Sequence, residues 1–111
     1  MSEQDILRED AILAEIVRRL AAAYQPDRIY LFGSKARGAG GPDSDYDLLV
    51  VVERSDLPPH KREQAAFRLL CGVGAPKDVL VYTREEFESR RRVVCSLAAT
   101  VVREGRLVYG T

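Results

Sequence analysis

The sequence predicts an α/β (α+β) domain, a small mixed β-sheet flanked by helices. Three observations carry that expectation. Apolar residues recur at helical spacing between Asp10 and Tyr24. Short segments rich in β-forming side chains stand at 28–32, 47–53 and 78–82. Helical segments alternate with these strands, which is the pattern of an α/β chain.

The elements follow in order. Ile12, Leu13, Ile16, Val17 and Leu20 form one apolar stripe, so 10–24 is an amphipathic helix. Pro26 places its end near Gln25. RIYLF (28–32) is a strand. DLLVVVE (47–53) is a second strand, and its unbroken apolar run predicts burial on both faces. Pro58 and Pro59 open a helix through Phe67, Leu69 and Leu70 that Gly72 and Gly74 end. DVLVY (78–82) is the third strand. Thr83 and Glu86 form a capping box for a helix beginning at Arg84. Residues 96–105 are a last helix stopped by Gly105, and 106–109 a short closing strand.

The chain has 111 residues, one domain's worth, and 1–111 is read as a single domain. Composition is 46% hydrophobic and 31% charged, which fits a folded globular protein and excludes a disordered one. No apolar run is long enough for a membrane helix, and MSEQDILRED has no apolar signal region, so a cytoplasmic protein is expected. Seventeen basic and seventeen acidic residues give zero net charge, which argues against direct nucleic-acid binding by bulk charge. Cys71 and Cys95 stand among apolar neighbours and are expected to be free, packed thiols.

The stretch GSKARGAGGPDSDYD (33–47) joins the first two strands. Side chains alternate along a strand, so Asp45 and Asp47 share one face and Tyr46 takes the other, as a core residue. Paired carboxylates repel, and a hard divalent cation removes the conflict. A helix separates strands two and three, so a right-handed parallel crossover aligns their starts and brings Asp78 beside Asp45 and Asp47. For Gly33-Ser34 to lie there too, strands one and two must be antiparallel. Gly33 lets the backbone approach a phosphate, Ser34 adds a donor, and Lys35 and Arg37 supply positive charge. Each piece also has an ordinary reading: Gly33-Ser34 as a turn, Asp43, Ser44 and Asp45 after Gly41-Pro42 as turn residues, and the lysine and arginine as solvated.

Gly33-Ser34 is followed by ten residues, Lys35 to Ser44, and then Asp45-Tyr46-Asp47. This spacing, LFGSKARG…SDYDLLV and the DVLVYT strand together resemble the minimal nucleotidyltransferases, the MNT group of the DNA polymerase β-like superfamily. The resemblance spans roughly residues 10 to 109. It implies the polymerase β-like nucleotidyltransferase fold and transfer of a nucleotide from ATP to a hydroxyl. Asp45 and Asp47 would hold two Mg²⁺ ions, and Asp78 would complete the catalytic-metal site. Gly33, Ser34 and Arg37 would bind the triphosphate.

Free-standing minimal members resemble the antitoxin of a toxin–antitoxin pair with a HEPN-domain toxin. The implied activity is AMP transfer from ATP onto a tyrosine of that toxin, in a hetero-oligomer. The alternative is a HEPN-binding antitoxin subunit that acts by contact without catalysis; a third is an enzyme for a small hydroxylated acceptor. REEFESRRRVV (84–94) reads as a solvated helix face with an i,i+4 Glu86–Arg90 pair, or as a partner surface. Tyr24, Tyr30, Tyr82 and Tyr109 are expected to pack through their rings.

Overall fold

A computed structural model describes residues 7–38 and 44–110. The expected turn at Gly41, Pro42 and Asp43 lies outside the described residues. Helix α1 (Ala11–Tyr24) begins where the Asp10 carboxylate accepts the Leu13 N–H at 3.0 Å. It ends at Gln25, whose positive φ of 46° turns the chain ahead of Pro26. Strand β1 (Arg28–Phe32) follows, then a single helical turn, α2 (Gly33–Ala36). Strand β2 (Tyr46–Val52) comes next, then helix α3 (Pro59–Leu69), with Pro58 as N-cap and Pro59 at the first helical position. Strand β3 (Lys77–Thr83) leads into α4 (Arg84–Arg90), and α5 (Leu97–Glu104) leads into β4 (Arg106–Gly110).

The four strands form one mixed sheet in the order β3-β2-β1-β4. Strand β1 is antiparallel to β2 and β4, and β2 is parallel to β3 across the α3 crossover. Both expected strand relationships hold. Alternate residues of the sheet feed two apolar layers. One packs Leu13, Ile16, Val17 and Leu20 of α1 and Ala66 of α3 against Ile29, Leu31, Leu48, Val50, Val52, Val79 and Val81. The other packs Phe87, Ala98 and Val101 against Tyr30, Leu49 and Val51. Strand β2 contributes to both, which is why its apolar run is unbroken. Tyr46 is buried as expected. Tyr30 stacks on Phe87 with ring centroids 5.7 Å apart, and Tyr24, Tyr82 and Tyr109 pack at the edges of the layers.

Three expectations change. The helix at 84 ends at Arg90, and Glu86 is half-buried rather than part of a solvated face. Its carboxylate accepts from the buried Arg62 at 2.7 Å and also closes the capping box with Thr83. The Arg90 guanidinium instead lies 4.8 Å from the centre of the Tyr82 ring. Both cysteines are free but exposed rather than packed. Leu70 is buried, while Cys71 beside it is at the surface. Gly105 does stop α5, but in extended conformation (φ −79°). It is glycine because a Cβ there would collide with the Val101 carbonyl oxygen.

Candidate active site

Strand β2 begins at Tyr46, and its register sets the site. Asp47 is the cross-strand partner of Phe32, the last residue of β1, and of Asp78 near the start of β3. Asp47, Leu49 and Val51 alternate onto one face of the sheet, and α4 and α5 cover Leu49 and Val51. The Asp47 end of that face extends past the helices, so Asp47 is half-buried and Asp78 exposed.

The Gly33-Ser34 turn closes on this pair. Gly33 has φ +76°, and a Cβ there would run into the Asp47 carboxylate, 3.2 Å from its Cγ. The backbone therefore comes as close to Asp47 as a chain can, and only glycine permits it. Ser34 follows on α2, half-buried. The turn is braced at its far end, where Arg37 N–H donates to the Gly33 carbonyl at 3.3 Å and Arg106 Nε donates to the Ala36 carbonyl. Arg37 itself is exposed. Lys35 is drawn to the opposite face, its ammonium 4.3 Å from the centre of the Tyr46 ring. It is engaged there, away from the face that carries Asp47.

The electrostatics follow from the crowding. Burial pushes the Asp47 carboxyl above its ordinary range, and the nearby charges of Asp78 and Asp45 push it further. Carboxylate oxygens that repel in this way are the donor chemistry a hard divalent cation takes, so Asp47 and Asp78 fit such an ion. Asp45, one residue ahead of the strand, is exposed. Among the described residues, no group of three His, Cys, Asp or Glu side chains is arranged to hold a metal ion. The structure thus brings Gly33, Asp47 and Asp78 together, with the charge of Asp45 also felt at Asp47; Ser34 follows Gly33 on α2, and Asp45, Asp78 and Arg37 are exposed.

Asp10 was missed as a site-supporting residue. Besides capping α1, its carboxylate accepts from the Tyr46 hydroxyl at 2.7 Å. Burial first, and this bond second, push the Tyr46 phenol up to about 12. Tyr46 separates the two aspartates, so this bond pins the start of β2 to the first helix. An aspartate ahead of an apolar helix signals a cap, but its tie to Tyr46 crosses 36 residues and leaves no local mark.

The chain matches the nucleotidyltransferase domain family over residues 12–108. A protein of Methanocaldococcus jannaschii, provisionally named a protein adenylyltransferase, is 30% identical over 105 residues, covering 93% of this chain and 100% of the relative. A toxin–antitoxin structure with AMP-PNP superposes with a TM-score of 0.61 at 25% identity, covering 91% of this chain and 73% of that one. The toxin–antitoxin structure MntA–HepT superposes with a TM-score of 0.60 at 24% identity, covering 91% and 72% respectively, and shares the fold. Among the described residues, no helix is long and apolar enough to cross a membrane.

Proposed function

The chain belongs to the nucleotidyltransferase domain family, and from that premise we propose that it transfers AMP from ATP onto a tyrosine hydroxyl of a partner HEPN toxin, acting as the antitoxin in the cytosol. The observation that carries the reading is Asp47, in register with Asp78 and pressed against the Gly33 backbone. A relative named for protein adenylylation supports a protein acceptor. Fold neighbours in toxin–antitoxin complexes, one with an ATP analogue, support the partner class and the nucleotide.

Asp45 and Asp47 would hold two Mg²⁺ ions, with Asp78 on the catalytic one; bound ions would neutralise the triphosphate and acidify the attacking hydroxyl. Gly33 and Ser34 then receive phosphate oxygens through backbone N–H groups and the serine hydroxyl, with Arg37 at the outer end of the triphosphate. The acceptor oxygen bonds to the α-phosphorus, the bond to the pyrophosphate oxygen breaks, and pyrophosphate leaves. Asp78, exposed at the margin, takes the hydroxyl proton.

The test is incubation with α-labelled ATP, Mg²⁺ and the product of the neighbouring gene. Label on that product, with an added AMP mass on a tyrosine, is expected. Label on neither protein overturns the reading.

A further inference from the structure

Three side chains on the layer opposite the Asp47 carboxylate join three separate elements. The Tyr46 hydroxyl donates to the Asp10 carboxylate at 2.7 Å, where Asp10 caps α1. The Lys35 ammonium, carried by α2, lies 4.3 Å from the centre of the Tyr46 ring. Tyr46 itself opens β2, between Asp45 and Asp47. Asp10, Tyr46 and Lys35 thus link the first helix, the aspartate strand and the Gly33-Ser34 turn.

Core packing does not require this chain of contacts. The Tyr46 ring is buried in the layer under α1, and a phenylalanine would fill that space. The hydroxyl and the two charges are additions to it. A single helical turn does not hold itself in place, because helix nucleation is costly. The four residues of α2 therefore take their position from what they touch. Ala36 is buried in the same layer as Tyr46, Arg106 holds the Ala36 carbonyl, and Lys35 rests on the Tyr46 ring. On the other side, Gly33 leaves no slack against the Asp47 carboxylate. Tyr46 is thus one residue from Asp47 and in contact with the turn that Asp47 meets.

We propose that Asp10, Tyr46 and Lys35 are positioning residues that act as one strut, setting the gap between the Gly33-Ser34 turn and Asp47 and so the affinity of the site for a metal-bound triphosphate. The proposal rests on the transferase reading above and adds how its two halves are held in register. The hydrogen bond to Asp10 fixes the Tyr46 ring, the ring holds Lys35 by a cation–π contact, and Lys35 carries the turn. None of the three exchanges a proton or bonds to substrate in this role.

The experiment measures AMP-PNP affinity with Mg²⁺ by calorimetry, which reads the site apart from transfer, together with amide NMR of the free chain. Asp10→Ser keeps a cap for α1 but is too short to reach the phenol. Tyr46→Phe keeps the ring under Lys35 and loses only the hydroxyl. Each should weaken AMP-PNP binding by roughly 10- to 100-fold, and Asp10→Asn, which retains an acceptor oxygen, should restore most of it. The Asp10→Ser, Tyr46→Phe double variant should bind no worse than the weaker single, because both break one link. In the free chain, Asp10→Ser should shift the amides of residues 33–36. Wild-type affinity in both single variants, even with lowered melting, or unmoved amides at 33–36, overturns the proposal. The label experiment with the neighbouring gene product is read separately. Weakened binding in the variants with no label on that product retains the strut and discards the transferase reading. Label on that product with wild-type affinity in the variants does the reverse.

Discussion

Asp47 and Asp78 stand opposite one another in register on the parallel strands β2 and β3. The Asp47 carboxyl is raised above its ordinary range by burial, then by Asp78 and Asp45. A fold does not gain stability from such a pair, so its presence points to a ligand that neutralises it.

Asp47→Asn should therefore leave the fold intact and raise the melting temperature slightly in chelator, because one of the repelling charges is gone. Transfer should fall at least about a hundredfold, since a neutral amide oxygen is a poor ligand for a hard ion. ATP affinity in wild type should likewise collapse when the divalent ion is removed. Equal ATP affinity in excess chelator, or unchanged transfer by the variant, would return Asp47 to an ordinary structural role.

Gly33→Ala tests the close approach. The new methyl group meets the Asp47 carboxylate, and the backbone holds φ at +76°. The left-handed conformation alone costs about 1–2 kcal/mol for a residue with a Cβ. The variant should melt lower and lose AMP-PNP binding, and a Gly33→Ala chain with wild-type affinity by calorimetry would show that the turn does not need this approach.

Much of the fold was legible because its signals are local. The stripe of α1, the double-proline start of α3 and the Thr83–Glu86 box each sit within a few residues. The Asp47–Asp78 alignment is long-range, yet it follows from one rule, the right-handed crossover. What stayed hidden was chosen by tertiary context. Nothing in the sequence marks Arg62 as buried, since an arginine mid-helix reads as solvated; the Leu57 and Val81 carbonyls and Glu86 complete its partners only in three dimensions. Cys71 looked apolar by its neighbours, but the turn after α3 carries it to the surface.

Arg62 and Glu86 give a stability prediction with a defined pH dependence. Burial acts to raise the Glu86 carboxyl, but the bond from Arg62, the Thr83 N–H and the nearby charges outweigh it and hold the carboxyl below its ordinary range. A depressed folded-state value stabilises above the unfolded value of about 4.3 and is lost as pH falls through the folded one. Glu86→Gln should cost about 1.5–3 kcal/mol at neutral pH, because it leaves a buried guanidinium short of its anion. That difference should shrink below about pH 4. A pH-independent gap in denaturant melts would assign the loss to the capping box alone.

Catalysis and partner binding should separate. The described metal-side residues occupy one end of one sheet face, where Asp47 is half-buried and Asp45 and Asp78 are exposed. A partner that presents a tyrosine there must rest on a wider surface, and Phe67, Val93 and Val94 leave apolar side chains exposed elsewhere. Replacing Asp45 and Asp47 with asparagine removes charge without removing shape, so the double variant should still co-purify with the proposed partner toxin while adding no AMP to it. Mass spectrometry of the partner and an RNase assay read the two properties independently. If the wild type adds no AMP mass and the double variant silences the partner as fully as wild type, the chain neutralises by contact, and the aspartates serve something other than transfer.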